Sequence, residues 1–127
     1  MATWDELLNT MSRATLTVVL PRCNVDNEFT GGVETLTQRF WKGMLSRTVI
    51  IGRAPKELIN LIGYNPLINM DYDNPVEQVK SIIRNISDYQ SLVDKNRDTA
   101  LRFAPWEIRM RKIMEWLEAQ GYQCVGE

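Results

Sequence analysis

The sequence predicts an α/β fold: a small parallel sheet of about three strands with flanking helices and a helical carboxyl-terminal tail. Three observations carry this. The short β-rich runs "TLTVVL", "TVIIG" and "PLINM" recur between stretches of helical period, the alternation that joins parallel strands through helical crossovers. After the third run the period stays helical to the end of the chain. Pro or Gly bounds each run, so the elements have defined ends.

The elements follow in order. Thr3 and Glu6 have the spacing of a capping box, and Trp4, Leu7, Leu8 and Met11 fall on one face of the helix it opens. Residues 15–20 form the first strand, stopped by Pro21, and a polar loop runs from Arg22 to Gly32. From Val33 the period changes to helical, with Leu36, Phe40 and Met44 sharing a face to about Ser46. A second, buried strand covers 48–52. Pro55 suits the first turn of a helix bearing Leu58, Leu61 and Ile62, which Gly63 ends. The third strand covers 66–70, and Asn74-Pro75 opens a helix whose stripe is Val76, Val79, Ile83 and Ile86. Ser87 then caps a helix to about Arg102, and Pro105 starts a last one to Gly121. That helix carries Trp106, Met110, Ile113, Met114 and Leu117, and its Trp106, Met110, Met114 and Trp116 read as core packing.

A chain of 127 residues with 44% hydrophobic and 24% charged side chains can bury one modest core. No repeat, low-complexity tract or long linker divides it, so 1–127 reads as a single domain: 1–86 an α/β core with its N-terminal helix, 87–127 the C-terminal helices. Fifteen basic side chains stand against 16 acidic ones, so no overall field draws in a nucleic acid, and any anion site must be local. Charges break every apolar run before the roughly 20 residues a membrane span needs, and no signal-peptide pattern opens the sequence. The expected location is cytoplasmic, with Cys23 and Cys124 as reduced thiols. The absence of histidine removes the commonest general base and zinc ligand, and no metal or cofactor is implied.

In open parallel sheets a ligand sits at the carboxyl ends of the strands, which here carry Pro21-Arg22, Gly52-Arg53 and Asp71. The pair Gly31-Gly32 lies on that edge, where a backbone without Cβ atoms can approach a phosphate ahead of a helix N-terminus. Arg22 and Arg53 would meet there if their strands are neighbours, giving two donors for a diphosphate, while Glu34 suits sugar hydroxyls. A glycine pair also serves as a plain turn, and a first-turn glutamate is favoured by the helix dipole alone. The spacing is neither a Walker loop nor a dinucleotide fingerprint.

The order "VVLPRC", "TGGVETLTQRFWKGMLSR", "TVIIGRAPKEL" is similar to the carboxyl-terminal, donor-binding domain of group-1-type glycosyltransferases of the two-domain GT-B architecture. "YNPLINMDYDNPVEQVKSIIRNI" and "YQSLVDKNRDTALRFAPWEIRMRKIMEWL" resemble that domain's later strand, helix and closing helices, so the likeness covers most of residues 15–117. It implies a partial Rossmann-like domain that binds a nucleotide-sugar diphosphate at Thr30, Gly31, Gly32, Glu34 and Thr35, with Arg22 and Arg53 neutralising charge. The family pairs two glutamates eight positions apart; Glu34 matches the first and Lys42 stands at the second, where it would either meet a phosphate or make the site degenerate. Arg47 stands where the family has glycine. The family's preceding strands and its acceptor domain have no counterpart in the sequence. Transfer of a sugar, hexosyltransferase chemistry, would therefore require further parts or a partner, and the open sheet edge a second copy or partner chain to cover it. The alternative is a non-catalytic α/β module that completes or assembles with another subunit.

Overall fold

The computed structural model describes residues 3–123. Three strands, β1 (Leu16–Val19), β2 (Val49–Gly52) and β3 (Ile68–Asn69), form one parallel sheet in the order β1-β2-β3. Leu16 pairs with Val49 and Ile51 with Ile68, so β2 is central and the fold is the expected α/β architecture. β3 is shorter than the apolar run around it, because Pro66 has no N–H to give a ladder, although Met70 N still donates to Gly52 O at 3.0 Å.

Alternation along β2 assigns the helices to two faces. Ile50 packs on one side with Phe40, Trp41, Met44 and Leu58; Val49 and Ile51 pack on the other with Ile82 and Val93. Burial on both sides explains why the run "VII" carries no polar residue. The helices are α1 (Trp4–Arg13), α2 (Arg22–Val25), α3 (Asn27–Thr30), α4 (Gln38–Leu45), α5 (Lys56–Ile62), α6 (Pro75–Arg84), α7 (Gln90–Phe103) and α8 (Trp106–Ala119). The capping box forms at α1: Glu6 N donates to Thr3 Oγ1 at 3.3 Å, and Thr3 N to Glu6 Oε2 at 2.7 Å. α7 contributes Val93 to one cluster and Ala100 to the other, so the C-terminal helices share the core of the sheet.

Five expectations need correction. The loop after Pro21 contains two one-turn helices, α2 and α3, the second held by Asp26 Oδ1 accepting from Phe29 N at 3.2 Å. α4 starts at Gln38, not Val33, because the segment before it is tied to α5 by side chains: Glu34 accepts from Lys56 N at 2.6 Å and Glu57 from Leu36 N at 3.2 Å. Ser87 does not cap a helix. It lies in a 3-10 turn, Ile86–Tyr89, where the half-buried Ile86 and Tyr89 pack against the Ile82 cluster and delay α7 to Gln90. On α6, Ile82 is the buried residue while Val76 and Ile83 are exposed.

The fifth correction is the largest. Trp106, Met110, Ile113, Met114 and Trp116 are exposed, not core. α8 rests on the body through its other side: the Arg109 guanidinium lies 5.5 Å from the Trp41 ring centroid and Lys112 Nζ 5.4 Å from that of Phe103. Cation–π contacts and the half-buried Ile108 thus set the helix rotation, and the apolar stripe turns outward.

The two sheet edges also differ. At β3, Asn65 Oδ1 accepts from Leu67 N at 3.0 Å and Gln78 Nε2 donates to Asn69 O at 2.7 Å, so side chains occupy the outer backbone groups. β1 has β2 on one side only, and Val18 is 54% exposed. Arg47, at φ 56°, ends α4 in the left-handed region, the conformation for which glycine is the unstrained residue. Among the described residues no helix is long and apolar enough to cross a membrane.

Candidate functional site

The carboxyl ends of β1 and β2 lie side by side, as the topology requires, and the segments that leave them meet. Arg53 Nη1 donates to Glu34 Oε2 at 2.7 Å and Nη2 to Asn24 Oδ1 at 2.7 Å, with Cys23 Sγ 3.8 Å away. The other oxygen of Glu34 accepts from Lys56 N, the first residue of α5. One carboxylate therefore fixes an arginine from the β2 end and caps a helix that Pro55 leaves without a side-chain cap. Two of the candidate site residues, Arg53 and Glu34, are thus brought together as partners of each other.

This geometry sets the acidity of Glu34. Burial pushes its carboxyl up; the hydrogen bond from Arg53, the Lys56 N–H and the charges of Arg53 and Lys56 together outweigh it and hold the pKa below the usual carboxylate value. Arg53 is raised, chiefly by its bond to Glu34. A depressed folded-state pKa adds stability above the unfolded value, and that stability is lost as pH falls through the folded one. Glu34→Gln is therefore expected to narrow its stability gap to the parent as pH drops through the acid range. Paired urea titrations from neutral pH down to about pH 3 check this, and a pH-independent gap would contradict the pairing.

The other predicted residues are placed differently. Gly31 and Gly32 have φ of 59° and 77°, and Gly31 ends α3. They reverse the chain, and 33–37 separates them from α4. Thr30 Oγ1 donates to Asp26 O at 3.0 Å, Thr35 is exposed, and Lys42 sits half-buried in the last turn of α4, away from its N-terminus. Arg22 is exposed with its guanidinium 4.2 Å from the Phe29 ring centroid.

A cleft of about 440 Å³ opens beside this point, lined by Leu20, Arg22, Asp26, Thr37 and Arg39. Leu20 is the residue after β1, and Thr37 is the N-cap of α4, whose hydroxyl caps none of the first-turn N–H groups. Two arginines, one aspartate and the N-cap of a helix thus line one concavity at the carboxyl edge of the sheet. Arg39 was not among the residues predicted. A helix from Val33 puts Arg39 in its second turn; only the start at Gln38 brings it into the first, where a cation opposes the macrodipole and an anion relieves that penalty. Among the described residues no cluster of three or more His, Cys, Asp or Glu is placed to hold a metal, and Cys124 lies outside the described residues.

Compared with protein-family models, curated proteins and solved structures, the chain matches none.

Proposed function

We propose that this chain is a donor-domain-like module that binds the diphosphate of a nucleotide sugar, and that it supports sugar transfer together with an acceptor-binding part or partner. The observation that carries the reading is the cleft between Arg22 and Arg39 at the uncapped N-terminus of α4. Arginine forks and first-turn amides are the donors that recognise phosphate oxygens, and the same groups stabilise charge on a leaving nucleoside diphosphate. The motif residue Glu34 stands three positions before the N-cap, its carboxylate held in place by Arg53 and Lys56. Sugar hydroxyls are the substrate groups an acceptor in that position suits.

A second reading, a non-catalytic interaction module, is favoured by one observation: Glu34 and Arg53 are already engaged with each other. Thermal shift separates the two. A panel of UDP, GDP, ADP, CDP and dTDP is expected to raise Tm by several degrees with one base, through mass action on the folded state. Arg39→Ala and Arg22→Ala should each abolish most of that shift. Equal shifts in parent and variants would remove the cleft from the account, and no shift with any nucleotide would favour the second reading.

A further inference from the structure

We infer that the cavity lined by α4, α5, α7 and α8 is a binding site for a small amphipathic carboxylate, an apolar body that ends in one anionic head. The cavity measures about 280 Å³, close to the lower bound of ligand pockets and hence suited to a small molecule. Leu36, Trp41, Leu61, Phe103 and Ile108 supply its apolar lining, and Trp41 is buried beneath it. It shares no lining residue with the cleft at Arg22 and Arg39, so the proposal is independent of nucleotide binding.

Three charged side chains within the lining select the ligand. Arg109 and Lys112 enter from the side of α8 that meets the body, and Glu57 enters from α5, one turn before Leu61. The half-buried Arg109 guanidinium lies 5.5 Å from the Trp41 ring centroid and 5.4 Å from that of Trp106, while Lys112 Nζ is 5.4 Å from that of Phe103. Among the described residues neither cationic side chain makes an ion pair or a hydrogen bond, although Glu57 lines the same cavity. One Glu57 oxygen already accepts from Leu36 N at 3.2 Å. The lining therefore holds an excess of one positive charge, with guanidinium and ammonium donors that ring contacts leave available. A carboxylate satisfies those donors through charge-assisted bonds, and its apolar body covers Trp41, Phe103 and Leu61. A neutral head leaves the donors without an ionic partner, and a cationic head meets like charge.

Isothermal titration of the full chain with octanoate, octanol and octylammonium, one tail with three heads, tests it, with circular dichroism to show that each variant is folded. Octanoate is expected to bind with a Kd of about 1 mM or tighter, and the other two at least about tenfold more weakly. Leu61→Asp and Lys112→Gln should each weaken octanoate at least about tenfold. Both side chains are exposed, so neither change opens the core, and Leu61 stands apart from the cation–π contacts that seat α8. Equal affinity for octanol would reduce the site to an apolar hollow, and tighter binding of octylammonium would give it to Glu57; either overturns the proposal. So does the absence of binding by octanoate at about 5 mM. Octanoate binding that persists in Leu61→Asp, or that is lost in Arg39→Ala, overturns it too, the latter by placing the carboxylate in the α4 cleft.

Discussion

Gly52→Ala is expected to abolish the native fold or cost about 4 kcal/mol or more, because no other change sets backbone against backbone so directly. Gly52 ends β2 at φ 152°, and a Cβ there would stand 1.7 Å from Val19 O and 2.7 Å from Val19 C. The contact is with the main chain of the neighbouring strand, so rotamer adjustment cannot relieve it. Relief would require parting β1 from β2, which breaks the Arg53 N to Val19 O bond and exposes Val19, now 4% accessible. It would also move the origin of Arg53 and hence the anchor of Glu34. Urea unfolding should show a midpoint lowered by roughly 2 M, or no cooperative transition at all. An unchanged midpoint would mean that β1 and β2 are not paired in this register.

Asn96→Ala is expected to cost about 3 kcal/mol. Asn96 is buried in α7, donates through Nδ2 to Pro66 O at 2.8 Å, and accepts from the Tyr64 hydroxyl at 2.8 Å. Truncation leaves the Pro66 carbonyl without a donor in an apolar setting and opens a cavity beside it, and both terms add. Tyr64→Phe is the control: it removes one hydroxyl but keeps the Asn96 to Pro66 bond, and should cost only about 1 kcal/mol. Burial pushes the Tyr64 phenol up despite its contact with Thr99, consistent with a hydroxyl enclosed between α7 and β3. Equal costs for the two variants in urea titrations would show that Asn96 is not the tie between α7 and the sheet.

The parts of this fold legible in the sequence are those with local causes. β-branched runs, the Thr3 and Glu6 box, Pro55 and Asn74-Pro75 all act within a few residues, and each placed its element. The late start of α4 was not legible, because it depends on Glu34 and Leu36 reaching partners on α5 that are distant in sequence. The rotation of α8 was not legible for a related reason. Its apolar stripe favours burial, but Arg109 and Lys112 over Trp41 and Phe103 determine which side meets the body, and those rings come from α4 and α7. For the candidate site, the sheet edge and Arg22 were readable from strand order. Arg39 was not, because its place in the first turn follows from the same late start of α4.

The central claim is that a diphosphate sits at the N-terminus of α4. Its most direct test is a titration of the isotopically labelled chain with the nucleoside diphosphate that gives the largest thermal shift, followed through backbone amide resonances. The account expects the largest movements at the Gln38 and Arg39 amides, the first N–H groups of the helix, with Arg39→Ala removing them. Movements confined to other segments, or none at Gln38 and Arg39 at saturating nucleotide, would contradict it.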